Sequence, residues 1–403
     1  MTPLGPAFRA LWAGNACGNL ADGVAFVTIP LLAVSLTDSP VLIAGLATAY
    51  SLTRLLVALP VGVHVDRHDR RILLWTANVG RGVVLVLMGV LLLLGQGTIW
   101  VLYAVYCLIG LSENVADNAA VSILPDVVRT CDLDAANSRI STTQLVADEF
   151  VGPPLGGLLF GLAAAAAVVV TGALYCLAAA AFLLLPHREH RTDTDQTVPR
   201  AWVEARAGLV WMAQHPQIRT LSGLGALTNF AYMVPFSILV LFAVERLGLS
   251  ATGYGLLLAA SSVGGLVGAA VAAPMRRRIG YRATLAASLM LGSATLIGTA
   301  VTSSAIIAAA LLALYILHAT VYTIASISLR QRLVPEPLRG RVYAGFRVLS
   351  LLGLALGGVT GGVLAQNVSL TAPLILGGVA FACAVLWTSQ LSPDAGLQDA
   401  VNP

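Results

Sequence analysis

The sequence predicts an all-α membrane protein of twelve transmembrane helices arranged as two pseudo-symmetric six-helix bundles. Three observations carry this reading. Of the 403 residues, 58% are apolar. Charged residues make up only 10%, against about 25% in an ordinary soluble domain. The apolar residues also fall into runs close to the ~20 residues that a bilayer-crossing helix needs. The same figures exclude a water-soluble globular protein, a disordered chain and most nucleic-acid binders. No strand pattern competes, and a lipid-embedded backbone must satisfy its own hydrogen bonds, so the runs read as helices.

Taken in order, the first span (8–36) carries Asn15, Asn19 and Asp22 at i, i+4 and i+7, which share one helix face. The second (41–62) holds Arg54, and the third (73–94) holds Arg81 near one end. The fourth (99–124) clusters Glu113, Asn114, Asp117 and Asn118 at helical spacing. The fifth (140–160) places Asp148 and Glu149 before Gly152-Pro153-Pro154-Leu155-Gly156-Gly157, and the sixth (162–185) has no charged residue in its core. A polar stretch, 186–218, then divides the chain. Within it Trp202, Ala205, Leu209 and Met212 recur at helical spacing, so a surface helix at the membrane face is expected. The seventh span (219–244) carries Asn229 and Tyr232, and the eighth (253–274) carries Gly264 and Gly268. The ninth (283–302) is uncharged, the tenth (304–328) holds Tyr315, His318 and Tyr322, and the eleventh (343–365) is glycine-rich. The twelfth (368–391) is again uncharged and leads into a short tail, 392–403.

Orientation follows from the basic residues, all 23 of them arginine. With both termini on one side, only Arg54 and Arg246 fall off that side. The positive-inside bias then puts both termini in the cytoplasm, as expected for a bacterial inner-membrane protein. The first apolar stretch runs on into a full span, so no cleavable leader is expected. Five scattered cysteines, with no CxxC or Cys/His spacing, read as small apolar residues, and no metal site is expected.

The two halves, 1–185 and 219–391, repeat each other. ILPDVVRTCDLDAANSR precedes the GPPLGG span, and LRQRLVPEPLRGRVYAGFR precedes a span with GLALGGVTGGVL. Parallel six-span halves suggest a transporter with its site between them.

The loop after the second span, Gly62-Val-His-Val-Asp66-Arg67-His-Asp-Arg70-Arg71, resembles the signature loop of the major facilitator superfamily. His64 and Asp69 depart from it, standing where leucine and glycine are usual. The resemblance implies the major facilitator fold and a cytoplasmic gate built from Gly62, Asp66, Arg67, Arg70 and Arg71, to which Arg81 and Asp117 are added as an expected ion pair. The Gly152, Pro153, Gly156 and Gly157 element is similar to the kinked antiporter element of exporters in that superfamily. Its physics is a lost backbone donor at proline and close helix approach at glycine. SILPDVV (122–128), ANSR (136–139) and LRQRLVP with RGRV before the eleventh span resemble the bacterial drug-efflux group that includes macrolide and siderophore exporters. In this fold helices 1, 4, 7 and 10 line the path and 3, 6, 9 and 12 face lipid; spans 1, 4, 7 and 10 each carry clustered polar residues, whereas spans 6, 9 and 12 have no charge in their cores. Spans 5 with 8, and 2 with 11, are expected to form the moving seam.

An ionisable group in a bilayer is costly unless it is paired, hydrated or neutralised. Asp22, Asn19, Asn15, Asp148, Glu149, Glu113 and Arg54 are therefore the candidates for proton coupling and substrate recognition, all in the first half. Arg54 is a candidate to neutralise Asp22 or Asp148. Asn229, Tyr232, Tyr315, His318 and Tyr322 are expected to shape the pocket in the second half. The expected activity is proton-driven export of amphipathic small molecules such as antibiotics. The alternative is a dedicated exporter of one metabolite or siderophore. The partners expected are a small-molecule substrate and lipid, without ATP, nucleic acid or a cofactor beyond protons, and the chain is expected to work as a monomer. A membrane enzyme or lipid-handling protein is the remaining class. No Ser/His/Asp set, HExxH, Walker loop or GxSxG supports an enzyme.

Overall fold

The computed structural model describes residues 5–65, 68–186 and 198–392. Its helices are α1 (Pro6–Leu36), α2 (Pro40–Val65), α3 (Arg70–Leu93), α4 (Ile99–Val127), α5 (Leu133–Gln144), α6 (Gly152–Leu162) and α7 (Ala164–Phe182). They continue as α8 (Val198–Gln214), α9 (Pro216–Phe236), the single turn α10 (Leu239–Leu241), α11 (Ala251–Val301), α12 (Ala305–Leu333), α13 (Arg339–Asn367) and α14 (Ala372–Trp387). Eleven helical segments among the described residues are long and apolar enough to cross a membrane. One of them, α11, has 51 residues, or about 77 Å at 1.5 Å per residue, more than twice a hydrocarbon core. Gly280 breaks it into two spans with φ 78° and ψ 174°, a left-handed region that glycine enters without steric cost. The described residues thus form twelve spans.

Local chemistry sets several helix ends. The Asp69 side chain accepts from Arg71 N at 2.8 Å and caps α3, an N-cap worth about 1 kcal/mol. This gives a physical reason for an aspartate where the resembling loops have glycine. Thr98 caps α4 and Ser304 caps α12 in the same way.

The fifth span is not one regular helix. α5 runs into a π-helical segment, Leu145–Val151, and then into α6. Pro153 and Pro154 have no N–H, so the carbonyls of Glu149 and Phe150 lose their usual i→i−4 donors. A widened turn is the local response, and such turns recur at functional sites.

The contacts group the residues into two compact units. Unit 1 comprises 1–38, 56–201 and 249–259, and unit 2 comprises 39–55, 202–248 and 260–403. Each unit thus takes in one span segment from the other sequence half. In unit 1, Thr252 donates to Gly157 O at 3.4 Å, joining the fifth and eighth spans. In unit 2, Thr48 donates to Ala355 O at 3.1 Å, joining the second and eleventh. The core of unit 1 gathers Phe8, Leu11, Leu74 and Phe182, each 2% exposed or less. In unit 2 the long α9 packs along α13 and α14.

Candidate functional site: a buried ion cluster in unit 1

α1 is apolar over most of its length, and its Asn15, Asn19 and Asp22 fall on one stripe. On that stripe Asn19 Nδ2 donates to Asn15 O at 2.6 Å. One turn further, Asp22 Oδ1 accepts from Arg81 Nη1 of α3 at 3.1 Å and from the Tyr175 hydroxyl of α7 at 2.5 Å. Arg81 Nη2 donates to Asn78 Oδ1 at 2.8 Å, one turn back on α3. The guanidinium also lies over the Tyr175 ring, 4.3 Å from its centroid. Three helices therefore meet at one ion pair.

The energetics are those of a shielded pair. The Arg81 side chain is 5% exposed and that of Asp22 30%, while Tyr175 is fully buried. Removing ions from water costs several kcal/mol each. Here the cost is offset by the opposite charge, two further polar contacts and a cation–π contact of about 1–2 kcal/mol. The hydrogen-bonded partner of Arg81 is Asp22, where the sequence pointed to Asp117; Asp117 lies within electrostatic range of the guanidinium. Arg81 lies on the α3 face turned to α1 and α7, whereas Asp117 on α4 is exposed.

Further acidic groups surround the pair. Glu113 and Asp117 lie within electrostatic range of Asp22, and Asp148 is in range of Asp22, Glu113 and Glu149. Asp148 and Glu149 sit in the π-helical segment. Gly23, next to Asp22, abuts the Asp148 backbone, and a Cβ on Gly152 would lie 2.6 Å from Gly23 Cα. α1 and the fifth span thus touch backbone to backbone, which fixes Asp148 close to Asp22. Pro153, Gly156 and Gly157 follow immediately in α6, and a Cβ on Gly156 would lie 2.7 Å from Val24 O.

Arg54 has a partner on its own helix. It belongs to the segment grouped with unit 2, where it donates to Tyr50 Oη at 2.9 Å and lies over that ring. Tyr50, one turn earlier on the same helix, is its described acceptor, and Asp22 and Asp148 belong to the other unit.

In the loop expected to form the gate, Arg70 Nη1 donates to Asp126 Oδ2 at 2.8 Å and to Ser122 O at 2.9 Å. Arg71 Nη2 donates to Leu183 O at 2.5 Å. Gly62 lies within α2, and Asp66 and Arg67 fall outside the described residues. The rings of His64 and His68 stack with centroids 4.0 Å apart. Partial burial, and then the neighbouring His68, lower the His64 pKa. Past the end of α4, the Arg129 pKa is raised by its hydrogen bond and charge contact with Asp132.

Unit 2 holds the second group of candidates. The Tyr232 and Tyr315 rings lie nearly parallel, 6.1 Å apart. Asn229 Nδ2 donates back to Gly225 O at 2.7 Å. Tyr315, His318 and Tyr322 are 3%, 2% and 8% exposed. His318 stands against Gly292 and the Phe381 ring, 5.0 Å away. These three side chains, expected to line a pocket, instead fill the unit's interior, because α12 turns them towards its neighbours. Asn229 and Tyr232 remain half-buried.

Tyr175 and Asp126 are functional neighbours that sequence reasoning missed. Tyr175 had a signal: it is the one hydroxylated aromatic in an Ala/Val/Leu-rich span, and a buried tyrosine hydroxyl needs a partner. Asp126 lies within the SILPDVV element, but nothing along the chain links it to Arg70, 56 positions away.

Comparison with solved structures finds the same fold at low identity. A nucleoside transporter superposes with a TM-score of 0.80 at 9% identity, covering 96% of this chain and 100% of its own. A bacterial homologue of the iron transporter ferroportin, in an inward-facing state, gives 0.74 at 18%, covering 95% and 98%. A bacterial homologue of the human lysosomal transporter Spinster, inward-facing and unoccupied, gives 0.72 at 16%, covering 98% of each chain. At these identities the likeness shows the fold alone. No curated protein matches the sequence. A family model described as transmembrane secretion effector matches residues 1–398. The chain, a multi-pass membrane transporter, belongs to that transmembrane secretion effector family of the major facilitator superfamily.

Proposed function

We propose that the protein is a proton-coupled secondary active exporter of amphipathic small molecules such as antibiotics, working by alternating access. It acts as a monomer in a bacterial inner membrane with both termini in the cytoplasm. The observation that carries this reading is the Asp22–Arg81–Tyr175 cluster, an ionisable group held at a shielded point of unit 1. Further support comes from the uneven spread of acids. The spans of the second half hold no carboxylate: Glu245 lies just past the seventh span, exposed, and Glu336 lies before the eleventh. The family description, secretion effector, agrees with outward movement.

The proposed step is a change of partner. While Asp22 is ionised, Arg81 and Tyr175 hold it. A proton taken up by Asp22 removes the charge that Arg81 faces, and the guanidinium turns to the remaining acids around it, Glu113 and Asp117. An arginine in a low-dielectric setting must have an anion, so its move shifts the balance between helix arrangements. Loss of the proton restores the first pairing.

Everted membrane vesicles, loaded with a pH-reporting dye and energised without ATP, test the substrate class. Addition of antibiotics from several chemical classes is expected to release protons. A response confined to one metabolite or siderophore supports the dedicated exporter instead. Silence across the panel, with the protein folded and present, contradicts both.

A further inference from the structure

Away from the ion cluster, unit 2 carries a basic groove. α8 lies along the start of α13, with Gly208 against the Arg341 backbone and Leu209 and Met212 closing on Gly345. Beside this contact is a groove of about 540 Å³ between α8 and the Leu338–Val342 turn. Val203, Arg206 and Val210 follow at i, i+3 and i+7, so they share one helix face along it. Val203 is 68% and Val210 49% exposed. Arg341 faces the same groove from α13.

The charge is one-sided. Residues 330–347 hold five arginines and a single acid, Glu336. Among the described residues, neither Arg206 nor Arg341 has an acidic partner. A neighbouring groove of about 340 Å³ continues the basic surface through Arg330, Arg339 and Tyr343, with Arg330 over the Phe346 ring at 4.2 Å.

We infer that the α8–α13 groove binds the headgroup of an anionic phospholipid, with its acyl chains along Val203 and Val210. Two guanidinium groups facing one groove suit a phosphodiester, and each arginine near an anionic headgroup contributes about 1 kcal/mol. A free phosphate would satisfy the arginines but leave the valine face in water. A zwitterionic lipid would cover the valines but leave net positive charge uncompensated. A helix presenting apolar residues beside arginine is suited to the plane where acyl chain and headgroup meet.

The test is native mass spectrometry of the purified full-length protein with dioleoylphosphatidylglycerol or dioleoylphosphatidylcholine. The wild type is expected to retain phosphatidylglycerol and to release phosphatidylcholine. R206Q/R341Q is expected to lose affinity for phosphatidylglycerol by about 30-fold, roughly 5-fold per arginine. R277Q/R278Q, which removes two arginines elsewhere, is expected to bind as the wild type does. Where R206Q/R341Q does not fold, the wild type decides alone: raised salt displaces the lipid and equimolar inorganic phosphate does not. Equal retention of the two lipids, displacement by phosphate, or an undiminished R206Q/R341Q complex overturns the inference.

Discussion

Arg81→Gln is expected to be the most damaging single substitution in unit 1. Glutamine keeps some hydrogen-bonding capacity but removes the charge, leaving Asp22 among Glu113, Asp117 and Asp148 without its counter-ion. Breaking one side of a buried pair typically costs about 3–5 kcal/mol, because the partner's charge is left uncompensated. Thermal unfolding in detergent should show this loss, and transport should disappear. The double variant Arg81→Gln with Asp22→Asn should recover much of the stability but none of the transport, since the stranded charge is gone and so is the proton site. A single Arg81→Gln variant as stable as the wild type would mean that the pair has no structural weight.

Gly152→Val is the second large effect. A Cβ at this position would stand 2.6 Å from Gly23 Cα and 2.8 Å from Ala147 O. Both are backbone atoms, so no side chain can swing aside to make room. Overpacking of this kind costs about 1–3 kcal/mol, and occasionally more. The functional cost is larger than the stability cost, because separating α1 from the π-helical segment moves Asp148 away from Asp22. Transport should fall much further than unfolding temperature. Leu155→Val, three residues on in α6, removes one methylene from a half-buried side chain and should leave transport near wild type. Equal transport in the Gly152→Val protein would show that the spacing of the two carboxylates is irrelevant.

The spans were legible because lipid leaves the backbone few choices and the apolar runs match its thickness. The stripe of Asn15, Asn19 and Asp22 was legible for the same reason that any helix face is: spacing alone places it. What lay hidden was the third dimension. Arg81 and Asp22 are 59 residues apart, and position along the chain offered Asp117 as an equally good partner. Only the packing of α3 and α1 on α7 selects between them. His318 and the tyrosines of α12 were polar in a span expected to line the path, but periodicity cannot tell an inward face that meets neighbouring helices from one that meets a cavity. The widened turn at Leu145–Val151 was readable in principle, from two adjacent prolines that strip donors from the carbonyls four residues back. The aspartate cap at Asp69 was readable too, as an N-cap residue directly before α3.

The central claim is that one proton-binding carboxyl in the amino-terminal unit drives transport, and its most direct test is proton flux through reconstituted protein. Proteoliposomes carrying an internal pH dye, given an active compound from the vesicle panel, should show proton movement that depends on that compound in the wild type. Asp22→Asn, which leaves Arg81 with Glu113 and Asp117 as its nearby anions, should fold with reduced stability and still bind the compound, yet move no protons with it. If Asp22→Asn couples protons to substrate as the wild type does, the carboxyl that powers the cycle lies elsewhere and the account built on Asp22, Arg81 and Tyr175 is wrong.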